Sequence, residues 1–356
     1  MLFPLRPNST IGIIGGGQLG RMLAESAAKM GFRTLILEPK ADSPAFQLSN
    51  QNIQAAYDDI TALSELAKKC DVVTYEFENL SLESAQFLER LVPLFPPSVA
   101  LEKAQDRLLE KQFLEEKGAL VAAYHAISSV DDLMAALADC GDGILKTRRL
   151  GYDGKGQKIV LNHISTDEAQ SSLSDIGRGP YIFEKLINFD LEFSLIATRS
   201  YAGDVVFFDP AINYHENGIL RRSVVPGNIH HISKNNAQEL ANNILRSLNY
   251  VGTIGIEFFA IEDNIMVNEF SPRVHNSGHW TREACNVSQF DQHIRAIVGL
   301  ALGDGRRHHD CEMVNLIGDE GKDVANYFEK PNSFVTLYGK TESRKGRKMG
   351  HVTYLI

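Results

Sequence analysis

The sequence predicts an α/β and α+β protein with more than one domain. Three features carry that prediction. Strands and helices alternate between residues 10 and 75, a proline cluster (Pro93, Pro96, Pro97) interrupts the alternation, and the later chain turns mostly to strands. At 356 residues there is length for two or three domains, each with its own core.

The elements follow in order. Residues 10–14 are an apolar run of buried-strand type, and residues 19–30 repeat apolar positions at helical spacing. Gly31 stands where a helix end favours positive φ. Residues 33–37 are expected as a second strand, 62–69 as a second helix and 71–75 as a further strand. This alternation implies a parallel sheet with right-handed crossovers, whose ligands collect at the carboxyl ends of the strands. The glycine loop after residue 14 and Tyr75-Glu-Phe-Glu-Asn79 both fall there. After the prolines, residues 104–117 are expected as one helix. A small α+β stretch then reaches about residue 187: Ser128-Ser-Val-Asp131 reads as a helix cap, and two short strands flank a glycine-rich loop. Residues 192–270 read mostly as strands. Residues 301–312 read as a linker, and strand-like runs follow at 313–317, 334–338 and 351–356.

The formal net charge of −9 disfavours duplex nucleic acid or an anionic membrane as the main partner, so an anionic ligand needs a local basic pocket. Cys70, Cys140, Cys285 and Cys311 are far apart and form no C-x-x-C pair, which suits a reducing compartment better than a disulfide framework or a zinc site. The N-terminal residues lack a signal-peptide apolar region, and no apolar run approaches ~18 residues. The cytoplasm is the expected location.

Five stretches carry candidate chemistry. Gly15, Gly17 and Gly20 fit the dinucleotide fingerprint, with Glu38 placed 18 residues after the last glycine. In Ile144-Leu-Lys-Thr-Arg-Arg-Leu-Gly-Tyr-Asp-Gly-Lys-Gly-Gln157, Lys146 ends an apolar strand before a loop with Gly151, Gly154 and Gly156. Backbone N–H groups of such a loop can approach phosphate oxygens, with Lys146 and Lys155 adding charge. An ordinary glycine-rich hairpin is the alternative.

Residues 253–269 read as a hairpin with its turn near 262–264. Pairing centred on Asp263 sets Glu257 opposite Glu269 among apolar neighbours. Two such carboxylates need a cation between them, or one must be protonated. A hard divalent ion on ATP phosphates meets that need, with Asn268 as a further oxygen donor. A register off by one would send each glutamate to solvent separately. In Ser271-Pro-Arg-Val-His-Asn-Ser-Gly-His279, Arg273, His275 and Asn276 suit a small planar anion. A zinc site from His275 and His279 needs a helix that Pro272 and Gly278 oppose. Lys340, Arg344, Lys345, Arg347 and Lys348 concentrate positive charge that suits a phosphate monoester or simply faces solvent.

In this order the stretches GGGQLGRM (15–22), YEFEN (75–79), QDR (105–107), GYDGKGQ (151–157), GIEFF (255–259), NEFSPRVHNSGHW (268–280) and GRKMGH (346–351) resemble the ATP-grasp superfamily. Within it, they resemble the 5-(carboxyamino)imidazole ribonucleotide synthases of purine biosynthesis. The resemblance implies an ATP-grasp fold: a Rossmann-like domain (1–100) without a dinucleotide, an ATP-grasp domain (101–300) with a lid near 120–187, and a small β-rich domain (301–356).

For ATP it implies Arg107, Lys146, Gly151, Tyr152, Asp153, Gly154, Lys155, Gly156, Gln157, Glu184, Lys185, Leu186, Ile187, Glu192, His215, Asn268 and Glu269. Glu257 and Glu269 match the magnesium carboxylates, with manganese as a substitute. Gln18, Leu19, Glu76, Asn276, Lys340, Arg347 and Lys348 match positions for the aminoimidazole ribonucleotide. Arg273 and His275 are the candidates for bicarbonate and, with Lys146, for catalysis.

The implied reaction is ATP-dependent carboxylation of 5-aminoimidazole ribonucleotide by bicarbonate through carboxyphosphate, in a homodimer, with neither NAD nor biotin. Another ATP-grasp ligase, such as a formate-dependent ribonucleotide transformylase, is the rival. Where the family often has Arg-Pro-Gly-Arg-Lys, this chain has Arg344-Lys-Gly-Arg-Lys348 and lacks a rigid turn residue.

Overall fold

The computed structural model describes residues 3–151, 155–227 and 229–356. Three sheets organise it. The first is parallel, in the order Gln51–Ile53, Arg33–Leu37, Thr10–Ile14, Val72–Tyr75. Its crossovers include the helices Gln18–Lys29 and Ile60–Lys69. Gly31 has φ +79°, ending the first of these as its position in the sequence suggests. The short strand Gln51–Ile53 was not expected, because its polar residues carry no apolar run.

The expected single helix at 104–117 is two, Ser98–Ala104 and Arg107–Glu116. Asp106 causes the break. It is extended (φ −122°, ψ 111°), its carboxylate accepts from the Leu108 amide to cap the second helix, and both its oxygens accept from Arg148 at 2.8 Å.

The second sheet is antiparallel, in the order Tyr124–Ile127, Tyr181–Lys185, Gly143–Thr147, Gln157–Val160. It is backed by the helix Val130–Cys140, whose Ser129 and Asp132 form a reciprocal cap. The third sheet has nine strands. Its main path runs Asn264–Ser271, Gly252–Ile261, Leu191–Arg199, Ala211–Glu216, Ile219–Val225, Cys311–Ile317, Lys348–Leu355, Ser333–Leu337.

Two departures from the sequence expectation lie here. The stretch after residue 192 contains a long helix, His231–Ser247, whose Ala237, Leu240, Ala241, Ile244 and Leu245 pack on Phe193, Leu195, Ile254 and Phe258. The polar residues between them obscured a clear i, i+3, i+4, i+7 stripe. The C-terminal strands also form no separate sheet. Cys311–Ile317 pairs antiparallel with Ile219–Val225, so hydrogen bonding runs through the expected boundary at 300.

A shared core joins the first helix to later chain: Leu19, Met22 and Leu23 pack with Phe290, Ile294, Ile297 and Tyr338. That packing brings the glycine loop beside the stretch 271–280. Among the described residues no helix is long and apolar enough to cross a membrane.

Candidate active site

The hairpin Gly252–Ile261/Asn264–Ser271 turns through Glu262, at φ 52°, and Asp263. Ile261 faces Asn264 and Phe258 faces Val267, a register that alone would set Glu257 opposite Asn268. A β-bulge at Asn268 adds one residue to the outer strand and restores the Glu257–Glu269 pair. Sequence reasoning thus reached the right pair through the wrong turn. The turn is one residue tighter, and the bulge makes up the difference. Because side chains alternate between faces, straightening the bulge into a regular ladder would set Asn268 opposite Glu257 and send Glu269 to the other side of the sheet.

The two carboxylates have different surroundings. Glu257 is 9 % exposed, and its Oε1 lies 3.4 Å from His275 Nε2. Burial, then the charges of Glu269 and Glu192, raise its pKa. Burial also pushes Glu269 up, but the Arg107 guanidinium, 2.8 Å away, outweighs it and holds that carboxylate ionised. The pair therefore fits the need stated above: without a cation, one acid keeps its proton and the other borrows an arginine. A divalent ion would ionise Glu257 and compete with Arg107 for Glu269.

On the second sheet, Lys146 lies 3.0 Å from Glu184 Oε1, while Lys111 lies 3.2 Å from Oε2. Burial raises the Glu184 pKa, but Lys146 and Lys111 bring it down to about 2. Burial lowers that of Lys146. The Glu184 side chain is thus turned to the lysines. Leu186 is exposed, and the Lys185 and Leu186 amides donate to Ala123 and Asp142.

Ile187 follows at the strand end. Glu192 Oε2 is 3.0 Å from His215 Nδ1; burial lowers the histidine's pKa, but its bond to Glu192 gives a net rise. The Gly151 carbonyl accepts from Arg107 at 3.3 Å. Gly156, at φ +70°, closes the loop by accepting from the Thr147 amide, with Lys155 and Gln157 on either side of it. Tyr152, Asp153 and Gly154 lie outside the described residues.

Arg273 is paired across the fold: its fork meets Glu78, with Nη2 3.2 Å from Oε1 and Nε on Oε2. It ties YEFEN to the strand end. His275 Nδ1 meets Ser277 Oγ at 2.8 Å, and burial, then Arg273 and Lys348, push its pKa down to about 3. The ring is neutral. Asn276 exchanges two amide hydrogen bonds with Asn315, at 3.0 and 2.7 Å. His279 is fully buried beside Phe290, Tyr338 and His351, with Nδ1 on Gln289, as a packed core histidine.

The glycine loop holds a second surprise. Glu76 accepts from the Gly17 amide and, at 2.6 Å, from the Gly20 amide, while Glu38 accepts from Gly16 at 2.9 Å. A Cβ on Gly15 would sit 2.4 Å from Glu76 Cγ. The loop amides of Gly16, Gly17 and Gly20 thus already have carboxylate acceptors. Gln18 opens the helix beside this carboxylate, and Leu19 is buried in the shared core.

The basic strip closes the site. Thr341 donates to Asp42 at 2.9 Å, Lys340 Nζ donates to the Lys348 carbonyl at 2.7 Å, and Arg347 Nη1 donates to the Glu342 carbonyl at 2.9 Å. The Lys340 charge reaches Glu76, and that of Lys348 reaches Glu257 and His275. Arg347 donates back to the Arg344 carbonyl across a turn with Gly346 at φ +80°, so the turn forms without proline.

Sequence reasoning missed Lys111, Glu110, Glu78 and Asn315. A signal for the first two existed: Arg107, Glu110, Lys111 and Leu114 lie at i, i+3, i+4 and i+7, so charged residues occupy an inward helix stripe.

Comparison with known proteins bears on this geometry. Family models match residues 8–105 (ribonucleotide synthetase preATP-grasp domain), 112–290 (ATP-grasp domain) and 311–356 (phosphoribosylaminoimidazole carboxylase C-terminal domain). The N5-carboxyaminoimidazole ribonucleotide synthase of Brucella melitensis is 50 % identical over 351 residues, covering 98 % of this chain and 97 % of its own. The Staphylococcus aureus N5-carboxyaminoimidazole synthetase bound to ADP superimposes with a TM-score of 0.93 at 39 % identity, covering 99 % of this chain and 94 % of the other. The Aspergillus clavatus N5-carboxyaminoimidazole synthase, in complex with ADP and 5-aminoimidazole ribonucleotide, gives a TM-score of 0.91 at 30 % identity, covering 98 % and 94 %.

Proposed function

The chain belongs to the N5-carboxyaminoimidazole ribonucleotide synthase family of ATP-grasp ligases, which carboxylate 5-aminoimidazole ribonucleotide with ATP, and from that premise we propose how its residues divide the reaction. A bicarbonate oxygen attacks the γ-phosphorus, ADP departs, and carboxyphosphate forms. The amine nitrogen of the ribonucleotide then attacks the carbon, directly or as CO₂. Inorganic phosphate leaves, and the nitrogen sheds a proton to give the N5-carboxyamino product.

The observation that carries this division is the pair Glu257 and Glu269, opposed on one sheet face with their pKa values driven apart. Their oxygens would hold a magnesium ion, which would supply charge neutralisation to the phosphates of ATP. Manganese suits the same oxygen donors, and Asn268 sits at the bulge between them. Lys146 and Arg107 lie beside the pair and add cationic charge to the phosphates. Gly151, Lys155, Gly156 and Gln157 are assigned to the phosphates, and the segment 184–187 with Glu192 and His215 to the adenosine end. Carboxyphosphate hydrolyses if wetted, so closing the loop and excluding water is part of the chemistry.

Neutral His275, reaching Glu257 and Ser277, is assigned to orient bicarbonate. Arg273, held by Glu78, is assigned with His275 to bicarbonate. Gln18, Leu19, Glu76, Asn276, Lys340, Arg347 and Lys348 are assigned to the ribonucleotide, on the family resemblance and on the positive charge of the basic strip. We take 1–100, 101–300 and 301–356 as the working units.

The testing experiment is an assay with ATP, bicarbonate, 5-aminoimidazole ribonucleotide and Mg²⁺, omitting each in turn. ADP release should need all four. Release that persists without the divalent ion would remove the metal from the account, and release with formate in place of bicarbonate would favour a transformylase. We propose a homodimer, on the family resemblance, and a cytoplasmic location, on the cysteine spacing; sedimentation equilibrium checks the first and cell fractionation the second.

A further inference from the structure

The strand Asn264–Ser271 is the outermost of its sheet, and a bulge in an edge strand leaves backbone groups without ladder partners. Here two of them, on either side of Glu269, are met from one turn of the helix Arg107–Glu116. Lys111 Nζ donates to the Asn268 carbonyl at 2.7 Å, and the Phe270 amide donates to Glu110 Oε1 at 2.7 Å. These bonds bracket Glu269. Both side chains are 2 % exposed. Packing alone does not call for two buried charged groups on this stripe, where neighbouring Leu114 fills the same core without polar atoms. Lys111 also reaches Glu184 Oε2 at 3.2 Å, the carboxylate that holds Lys146, so the bulge and the second sheet share one ammonium.

We propose that Glu110 and Lys111 are positioning residues that hold the Asn268 bulge, keeping Glu269 opposite Glu257 and thereby setting the affinity of that pair for a divalent cation. The proposal rests on the reading that Glu257 and Glu269 hold the ion. Neither residue touches substrate in this account; both act on backbone, as the outer partners of metal-binding side chains do. The chemistry each supplies is distinct. Glu110 provides an acceptor oxygen, which a glutamine also offers, whereas Lys111 provides a donor that methionine lacks at nearly the same shape.

The test measures Mn²⁺ binding in the presence of ADP, by electron paramagnetic resonance, on the full chain and its variants. Glu110→Leu and Lys111→Met should weaken Mn²⁺ binding roughly 10- to 100-fold, the range that loss of such outer partners gives. Glu110→Gln should bind like the parent, and the KM for the ribonucleotide should move far less than the Mn²⁺ dissociation constant.

Parent-like Mn²⁺ binding by both folded variants, or a Glu110→Gln as weak as Glu110→Leu, would overturn the proposal. Glu269→Gln separates the two claims. If it binds Mn²⁺ as well as the parent, the underlying metal reading fails; if it loses Mn²⁺ while Lys111→Met does not, only the positioning claim fails. Should the apolar variants not fold, hydrogen exchange on the unmodified chain decides. The Phe270 amide should exchange as slowly as ladder amides of the same sheet, and fast exchange contradicts the proposal.

Discussion

Two regions of this molecule set carboxylates against backbone and reach opposite ends. In the glycine loop, Glu76 and Glu38 accept from the amides of Gly16, Gly17 and Gly20, and the helix N-terminus is satisfied internally. In the bulged hairpin, Glu257 and Glu269 face each other, and their nearest relief is a neutral histidine and one arginine. The first arrangement stabilises the fold through charge-assisted bonds to a helix terminus. The second leaves an electrostatic demand that the proposed cation would answer. The amides of Gly16, Gly17 and Gly20 are therefore satisfied within the chain, whereas the two hairpin carboxylates cannot satisfy each other.

The largest effect that could break this contrast is on turnover. Glu269→Gln removes charge with little volume and should reduce ATP turnover roughly 10²- to 10³-fold, the scale of losing one well-placed electrostatic group, with unchanged circular dichroism. Near-parental turnover would place the metal elsewhere. The matching change in the loop, Glu76→Ala, should instead cost about 1–3 kcal/mol of stability, because buried amides lose their acceptor. Denaturant melts check this, and an unchanged midpoint would mean that the loop amides find other partners.

The contrast also shows in pH. Glu257 is protonated in the folded chain at pH values where the unfolded chain has ionised it. The stability it contributes is complete below about 4.3 and falls as pH rises toward its folded value of about 8. Glu110 shares that direction, so the comparison is between the parent and Glu257→Gln, whose melting temperature should fall less over pH 5 to 8 without metal. Equal slopes would mean Glu257 is ionised already.

Smaller still, Lys340→Ala or Arg347→Ala should raise the KM for the ribonucleotide more than that for ATP. The smallest effect concerns the strip's turn. Lys345→Pro, at the second position of a turn already made by Gly346, should stabilise by about 0.4–1 kcal/mol in melts.

Much of this was legible in the sequence, and the exceptions share a cause. Thr10–Ile14, Arg33–Leu37 and the Gly31 stop follow from local periodicity and backbone freedom, which act over a few residues. The Glu257–Glu269 pairing was legible as a sum of positions, but the bulge producing it was not, because an inserted residue leaves no mark in an apolar alternation. The partners of Arg273 and Asn276, namely Glu78 and Asn315, lie 195 and 39 residues away, and contacts set by tertiary packing have no local signature. The helix His231–Ser247 and the buried charged stripe of Arg107–Glu116 are different. Their spacing was present, and composition masked it.

The central claim is most directly tested by locating the ion. Crystals grown with Mn²⁺ and ADP should give an anomalous peak within coordination distance of both Glu257 and Glu269 and of a diphosphate oxygen. A peak that contacts neither glutamate, with the two carboxylates still as described here, would contradict the account.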